Sequence, residues 1–275
     1  MLLLLLGMAG TLGACAPVAR AGSLPPTLSL TAVGGAQIAI QNGIPVPTFD
    51  RQPRRTVTLD GQWRVERVVF DADLSLTDRE TSLPGIMAEA AGREAPTFRD
   101  GTWETLAVPG SLNPPPERRE TGGWYRRQFL VPATWDGMSA VLKMEAVNYI
   151  GDVWINGAWV GYHEGGYTPF AFDVSPQLIP GAINTIAVRV DNPAWGSRND
   201  ILPWGLADWW NYGGITGSAW IEATPSTAVI RADVVPHLDG IDVRAVVQQP
   251  PTAIGAPPAE DEVAAASVAA TSSAS

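Results

Sequence analysis

The chain has 275 residues and carries 18 Lys and Arg against 28 Asp and Glu, which gives a formal net charge of −10. This balance argues against a nucleic-acid partner, because phosphate binding needs clustered basic side chains. Two histidines and one cysteine leave no multi-ligand set for zinc, so we expect no metal and no cofactor. The 24 prolines and 28 glycines occur in short clusters between strand-like segments, which favours an all-β fold.

The first residues form an apolar run, MLLLLLGMAGTLGAC, of roughly signal-peptide length. A transmembrane helix needs about 20 apolar residues, so we interpret residues 1–22 as a signal segment. Leu12-Gly13-Ala14-Cys15 resembles a bacterial lipobox, in which the cysteine is lipidated; the alternative is a plain secretory signal with an incidental cysteine. Both interpretations predict an exported protein, either periplasmic or attached to the outer membrane or cell surface through a lipidated Cys15.

The folded unit is expected to follow a linker. Residues 23–54 are rich in Pro, Gly, Thr and Ala without sustained periodicity, which predicts a flexible linker. Over residues 55–225, short segments of alternating or β-branched residues recur between turn signals. This spacing predicts a β-sandwich.

One strand has an especially regular pattern. Ile186, Val188 and Val190 fall on one face of it, whereas Ala187 and Arg189 fall on the other. This alternation predicts a half-buried strand, with one face against the core.

Two local structures are predicted inside the folded unit. Asn156-Gly157 separates two apolar segments and favours the positive φ angles of a type I′ β-hairpin. Residues 86–95, IMAEAAGREA, predict a short helix that ends near Gly92.

A second unit begins after the first and is incomplete. Residues 226–249 have a strand-like rhythm with an Asp239-Gly240 turn, which predicts a second hairpin and part of a second β-sandwich. Residues 250–275 are a low-complexity segment of Ala, Pro and Ser that buries too little apolar surface to offset chain entropy. We therefore expect a disordered tail.

Several motifs occur in a fixed order that resembles a known family. They are VPGSLN (108–113), GWYRRQFLVP (123–132), VNYIGDVWINGAWVGYHEGGYTPFAFDVS (147–175), NTIAVRVDN (184–192), DWWNYGGI (208–215) and SAWIEATP (218–225). The series resembles the N-terminal sugar-binding domain of glycoside hydrolase family 2, which includes β-galactosidases, β-glucuronidases and β-mannosidases, and is most similar to the β-glucuronidase-like branch. The resemblance implies a jelly-roll β-sandwich of the galactose-binding type, followed by an immunoglobulin-like sandwich and a catalytic (β/α)8 barrel.

The barrel has no counterpart in this sequence. An eight-fold βα barrel needs about 250 residues, whereas only residues 226–275 follow the resemblance. The family's catalytic glutamates come from the barrel, so no catalytic residue is assigned, and we expect the chain alone to be inactive, as a fragment or truncated product. Two alternatives stay open: a stand-alone exported carbohydrate-binding lipoprotein, and a structural or interaction β-sandwich.

The DWWNYGGI segment is the candidate site for carbohydrate, expected as a β-glycoside. The resemblance implies that the acidic residue of this loop contacts substrate hydroxyls. A carboxylate accepts hydrogen bonds from vicinal hydroxyls, and aromatic faces stack on the apolar side of a pyranose. The candidate substrate-binding residues are Asp208, Trp209, Trp210, Asn211 and Tyr212. For Trp209 and Tyr212, the alternative is that they pack as core or interface side chains.

The HEGGYTPF segment, residues 163–170, is the second dense motif. His163 and Glu164 are adjacent in a predicted strand and so point to opposite faces, which disfavours an acid/base pair. Tyr167 and Phe170 are expected to pack into the sandwich, which favours a structural role for this segment.

Overall fold

The computed structural model describes residue 24 and residues 26–33, 36–50, 53–114, 122–193, 212–248 and 267–270. Within these residues lie eighteen strands, two α-helices and one 3-10 turn. The strands are β1 (Leu28–Val33), β2 (Ala36–Gln41), β3 (Ile44–Pro45), β4 (Arg55–Thr58), β5 (Gly61–Val68), β6 (Glu104–Val108), β7 (Gly122–Leu130), β8 (Ser139–Met144), β9 (Val147–Asn148), β10 (Ile150–Ile155), β11 (Ala158–Glu164), β12 (Phe170–Asp173), β13 (Ile183–Asp191), β14 (Gly214–Ile215), β15 (Ala219–Thr224), β16 (Ala228–Pro236), β17 (Ile241–Gln248) and β18 (Ser267–Ala270). The helices are α1 (Ala72–Leu76) and α2 (Arg79–Ala90), and the 3-10 turn is Ala133–Trp135.

Two antiparallel sheets form the sandwich. One has six strands in the order β11-β10-β13-β7-β5-β6, and the other has four in the order β12-β8-β15-β4. Apolar side chains from both sheets meet between them, among them Trp63, Tyr125, Leu142, Phe172 and Val188, each at most 1% exposed. The predicted all-β sandwich is confirmed.

The two α-helices cover the outer face of the six-stranded sheet. Ile86 and Ala90 of α2 pack with Trp124, Trp154 and Ala187 of the sheet in a second buried cluster. Strand β13 is therefore buried on both faces, and the prediction of a half-buried strand was wrong. The reason is that Ala187 and Arg189, on the outer face of β13, are compatible with burial under a helix as well as with solvent. Ala187 packs in the cluster with α2, and Arg189 is paired with Asp152.

Helix α2 has well-defined ends. Its N-cap, Asp78, accepts a hydrogen bond from the Thr81 backbone N at 3.0 Å. At its C-terminus Ala91 is left-handed with φ 50° and Gly92 follows with φ 90°. The predicted end near Gly92 is confirmed, but the helix starts earlier than expected because Pro84 is accommodated inside it.

The hairpin between β10 and β11 is also confirmed. Asn156 has φ 50° and Gly157 has φ 88°, the two positive angles that a type I′ turn requires. The Asn156 side chain adds hydrogen bonds to Gln177 O at 2.8 Å and Asn184 Oδ1 at 2.6 Å, and it accepts one from Thr185 N at 2.8 Å.

Residues 23–54, predicted as a flexible linker, contain the three-stranded sheet β1-β2-β3. Side chains fix this sheet to the sandwich: Gln41 Nε2 donates to Pro169 O at 3.2 Å, and Gln41 Oε1 accepts from Ala171 N at 3.0 Å. Asn42 Nδ2 donates to Ala171 O at 3.0 Å. Two side-chain amides thus bond the backbone of the edge strand β12, a role that composition does not reveal.

The second hairpin, predicted across Asp239-Gly240, is confirmed as β16 paired with β17. Its residue Val246 is buried against Ile38 of β2, so the first strands of the chain cover part of this sheet. Strand β18 pairs with β17 within the segment predicted as a disordered tail. The remainder of residues 250–275 lies outside the described residues. Neither α-helix in the described ranges is long and apolar enough to cross a membrane.

Candidate functional site

Of the predicted site residues, Tyr212 is described, and its side chain is 42% exposed. Asp208, Trp209, Trp210 and Asn211 lie outside the described residues, as does Cys15. At the candidate site the structure therefore describes Tyr212 and the residues that hold it in position.

The residues after Tyr212 are fixed by the VPGSLN motif. Leu112 N donates to Gly213 O at 2.7 Å, and Gly110 N donates to Ile215 O at 2.9 Å. The side chain of Asn113 completes the set, because its Oδ1 accepts a hydrogen bond from Gly213 N at 2.7 Å. Three hydrogen bonds thus hold a segment whose own strand, β14, is only two residues long.

Two further asparagines pack at the same place. Asn148 Nδ2 donates to Tyr212 O at 2.6 Å, and β14 pairs with β9, which ends at Asn148. Asn192, which directly follows β13, lies against Gly213: a Cβ added to that glycine would be 2.7 Å from Asn192 Nδ2. Asn113, Asn148 and Asn192 are at most 2% exposed. We call these three side chains the amide cluster.

The amide cluster was not among the predicted site residues. Asn113 and Asn192 are the last residues of two of the motifs that carry the resemblance, and Asn148 lies within a third. All three are at strand ends or in loops, where backbone groups need hydrogen-bond partners outside the sheet. Asparagine carries both a donor and an acceptor, so it satisfies either kind of unpaired backbone group when buried. The signal in the sequence was an asparagine at the end of a predicted strand. Sequence alone does not distinguish such a buried asparagine from one in an ordinary turn.

The paired glycines of DWWNYGGI have a packing explanation. Gly214 has φ 120°, which strains any residue with a side chain, and an added Cβ would lie 2.9 Å from both Leu112 N and Tyr125 Oη. Burial also raises the pKa of the Tyr125 hydroxyl, so this phenol stays protonated against the glycine. The positive φ and the two close contacts both disfavour a side chain at position 214.

The HEGGYTPF segment forms a tight loop beside the amide cluster. Phe170 is fully buried, as predicted, but Tyr167 is 64% exposed, so the prediction that it packs into the sandwich was wrong. The loop turns at Gly165, which has φ 137°, and an added Cβ on Gly166 would overlap Asn148 Oδ1. Gly166 is packed tightly against the cluster, whereas the next residue, Tyr167, is exposed to solvent.

His163 has a structural environment. Its ring stacks on Phe170 with centroids 4.4 Å apart and planes at 16°, and its Nε2 lies 2.8 Å from Thr168 Oγ1. The Thr168 hydroxyl donates to Gly165 O at 3.1 Å, so His163 Nε2 is the donor to Thr168. Burial lowers the pKa of His163 to about 4, and the ring is neutral near pH 7. The favoured structural role is consistent with this geometry.

A separate buried charge cluster lies between the helices and the six-stranded sheet. Asp152 and Arg189 are fully buried; Arg79 Nε is 3.5 Å from Asp152 Oδ1, and Arg189 NH1 is 3.8 Å from Asp152 Oδ2. Arg189 Nε also contacts Glu89 Oε2 at 2.6 Å, and the Ser75 hydroxyl donates to Asp191. Burial raises the pKa of Asp152 and of Asp191.

This cluster holds the helices to the sheet and offers no route for a substrate to Asp152, whose side chain is 0% exposed. Within the residues that the structure describes, no three His, Cys, Asp or Glu side chains are placed to hold a metal ion.

The architecture is therefore an antiparallel β-sandwich with helices covering one sheet and with residues 212–215 held by hydrogen bonds from the VPGSLN motif and Asn148. The family model for the sugar binding domain of glycosyl hydrolases family 2 matches residues 56–225. The chain belongs to this family.

Individual relatives support the assignment. A β-galactosidase of Thermoanaerobacter pseudethanolicus is 37% identical over 108 residues, which are 38% of this chain and 14% of the relative. The β-glucuronidase of Mus musculus is 27% identical over 229 residues, which are 74% of this chain and 34% of the relative. The solved structure of a Bacteroides uniformis β-glucuronidase superposes with a TM-score of 0.54 at 25% identity, covering 70% of this chain and 22% of that one. The chain thus corresponds to about a third or less of the length of these proteins.

Proposed function

We propose that this domain binds the sugar of a β-glycoside as part of the substrate recognition of a family 2 β-glycosidase. The family match over residues 56–225 carries the proposal, because that model describes a sugar binding domain. The similarity to β-glucuronidases and β-galactosidases supports a β-linked hexose or hexuronic acid as the ligand.

The proposed contact residues belong to the DWWNYGGI segment: Asp208, Trp209, Trp210, Asn211 and Tyr212. Asp208 accepts hydrogen bonds from vicinal hydroxyls, and the aromatic rings stack on the C–H face of the pyranose. The contact between Gly213 and Asn192 supports this role, because it brings together the described residues that precede and follow positions 194–211. A loop held at both ends loses less conformational entropy when it binds a ligand.

Calorimetric titration of methyl β-glucuronide and methyl β-galactoside into the purified chain tests this function. We expect millimolar binding, because an open site buries little ligand surface. Asp208→Ala should lose it, whereas Asp136→Ala, which removes an exposed carboxylate from the opposite end of the sandwich, should not. Equal binding by the two variants would refute the role of Asp208, and no binding by the unsubstituted chain would refute the function.

We further propose that the chain does not hydrolyse glycosides by itself. A retaining glycosidase needs two carboxyl groups about 5 Å apart on either side of the scissile bond. Asp152 and Asp191 share one cluster, but both are buried beneath the helices. Hydrolysis of an aryl β-glycoside by the pure chain, abolished by substituting one of its own residues, would contradict this proposal.

Export and lipidation of Cys15 are a separate proposal, supported by the apolar N-terminal run and the lipobox-like sequence. Labelled palmitate should enter the chain expressed in a bacterium, and Cys15→Ser should abolish the label while leaving export intact. Label retained by the serine variant would exclude Cys15 as the site.

A further inference from the structure

The most exposed tyrosine of the described residues projects from one of the most tightly fixed loops. Tyr167 is 64% exposed, although the residues on both sides of it are held in place. On one side, Gly165 N donates to Tyr149 O at 3.0 Å and Gly166 packs against Asn148. On the other, Thr168 bonds both His163 and Gly165. These contacts hold the backbone on both sides of Tyr167, and none of them uses the tyrosine ring.

The amide of Asn148 joins this loop to Tyr212. Its Oδ1 lies where a side chain on Gly166 would be, and its Nδ2 donates to Tyr212 O at 2.6 Å. One amide group therefore separates the backbone beside Tyr167 from the backbone of Tyr212. The two tyrosines are 64% and 42% exposed, so both side chains are accessible to solvent at backbone positions joined through Asn148.

We infer that Tyr167 and Tyr212 form a two-tyrosine platform that stacks on a pyranose ring. A tyrosine ring offers an apolar face for the sugar's C–H groups, and its hydroxyl both donates and accepts hydrogen bonds. A rigid backbone under each ring lowers the entropic cost of binding. This inference rests on the proposed function and adds to it Tyr167, a residue from a different loop of the described chain.

The expected size of the effect is modest. An aromatic stacking contact contributes about 0.5–1.5 kcal/mol beyond buried area, which corresponds to about a 2- to 12-fold change in Kd. Removing the hydroxyl alone should matter less, since the stacking face remains.

Saturation-transfer NMR on the full chain with methyl β-glucuronide and methyl β-galactoside tests the platform, and sorbitol serves as a polyol without a pyranose face. We expect saturation of the C–H protons of one sugar face and a Kd raised about 3- to 10-fold by Tyr167→Ala. Tyr167→Phe should stay within about twofold of the unsubstituted chain. Leu130→Ala removes an exposed apolar side chain, 57% exposed, from the opposite end of β7 and should change nothing.

The outcomes separate the platform from the function on which it rests. Binding by the unsubstituted chain that Tyr167→Ala leaves unchanged, while Asp208→Ala abolishes it, overturns the platform and leaves the sugar-binding function standing. Equal saturation from sorbitol also overturns the platform, because the contact would then not require a pyranose face. No sugar binding by the unsubstituted chain overturns both.

Discussion

The buried ring of His163 makes domain stability depend on pH. The ordinary histidine pKa is about 6.5, whereas burial against Phe170 lowers that of His163 to about 4. Between these values the unfolded chain binds a proton that the folded chain does not, so the free energy of unfolding falls as the pH decreases through this window. The full loss is about 3 kcal/mol, of which about 2 kcal/mol falls between pH 7 and pH 5.

Urea unfolding at pH 7 and pH 5 measures this loss. His163→Gln cannot titrate and keeps an amide donor for Thr168, so its free energy of unfolding should fall by about 2 kcal/mol less than that of the unsubstituted chain over the same interval. His237→Gln is the control, since it removes an imidazole that is 48% exposed. If the two variants show the same pH dependence, His163 is not buried as a neutral ring and the reasoning fails.

Three further substitutions have definite expected effects on the free energy of unfolding, measured by urea at neutral pH. Asn156→Gly keeps the positive φ of the hairpin but loses three side-chain hydrogen bonds, so it should cost about 2–4 kcal/mol. Asn156→Ala loses the same bonds and also strains the backbone, so it should cost about 1 kcal/mol more. Equal costs for the two variants would show that backbone strain contributes nothing. Gly214→Ala places a methyl group at a positive φ and in close contact with its neighbours, so it should cost several kcal/mol. Gly92→Ala also has a positive φ, 90°, but no neighbour within 4 Å, so it should cost about 1 kcal/mol. Similar costs for the two variants would contradict the packing argument. Glu222→Gln removes the carboxylate that lies 3.0 Å from Lys143, which is 1% exposed, and 2.7 Å from Arg54. It should cost about 3 kcal/mol, and the part due to Lys143 should be recovered when Lys143 is also replaced by Met. No recovery would mean that an unpaired Lys143 charge is not a source of the cost.

The parts of the fold that could be predicted from sequence are those with a strictly local cause. The Asn156-Gly157 hairpin follows from two adjacent residues that tolerate positive φ. The helix end near Gly92 likewise follows from residues that accept a left-handed conformation. The sandwich itself followed from the alternation of its strands and from the order of its motifs.

The errors arose where a segment's environment is supplied by a distant part of the chain. Strand β13 has an alternating pattern, but α2 covers its outer face, and Arg189 there is buried with Asp152 as its partner. Residues 28–45 have no sustained periodicity, yet their strands are held by amide contacts to Pro169 and Ala171. Tyr167 shares its motif with the buried Phe170 but is itself 64% exposed, whereas the preceding Gly166 packs on the distant Asn148. None of these partners is adjacent in sequence.

The amide cluster explains how the backbone of Tyr212 and Gly213 is held without extended strands. Three connections meet at this end of the sandwich, and their backbone groups have few sheet partners, since β9 and β14 are two residues long. Asn113 accepts from Gly213 N and Asn148 donates to Tyr212 O, so buried side chains supply bonds that a ladder would otherwise make. An apolar replacement would fill the space but leave these backbone groups without partners, which costs about 1–3 kcal/mol each. The position of the Tyr212 backbone is therefore set by hydrogen bonds from Asn148 and, through Gly213, from Asn113.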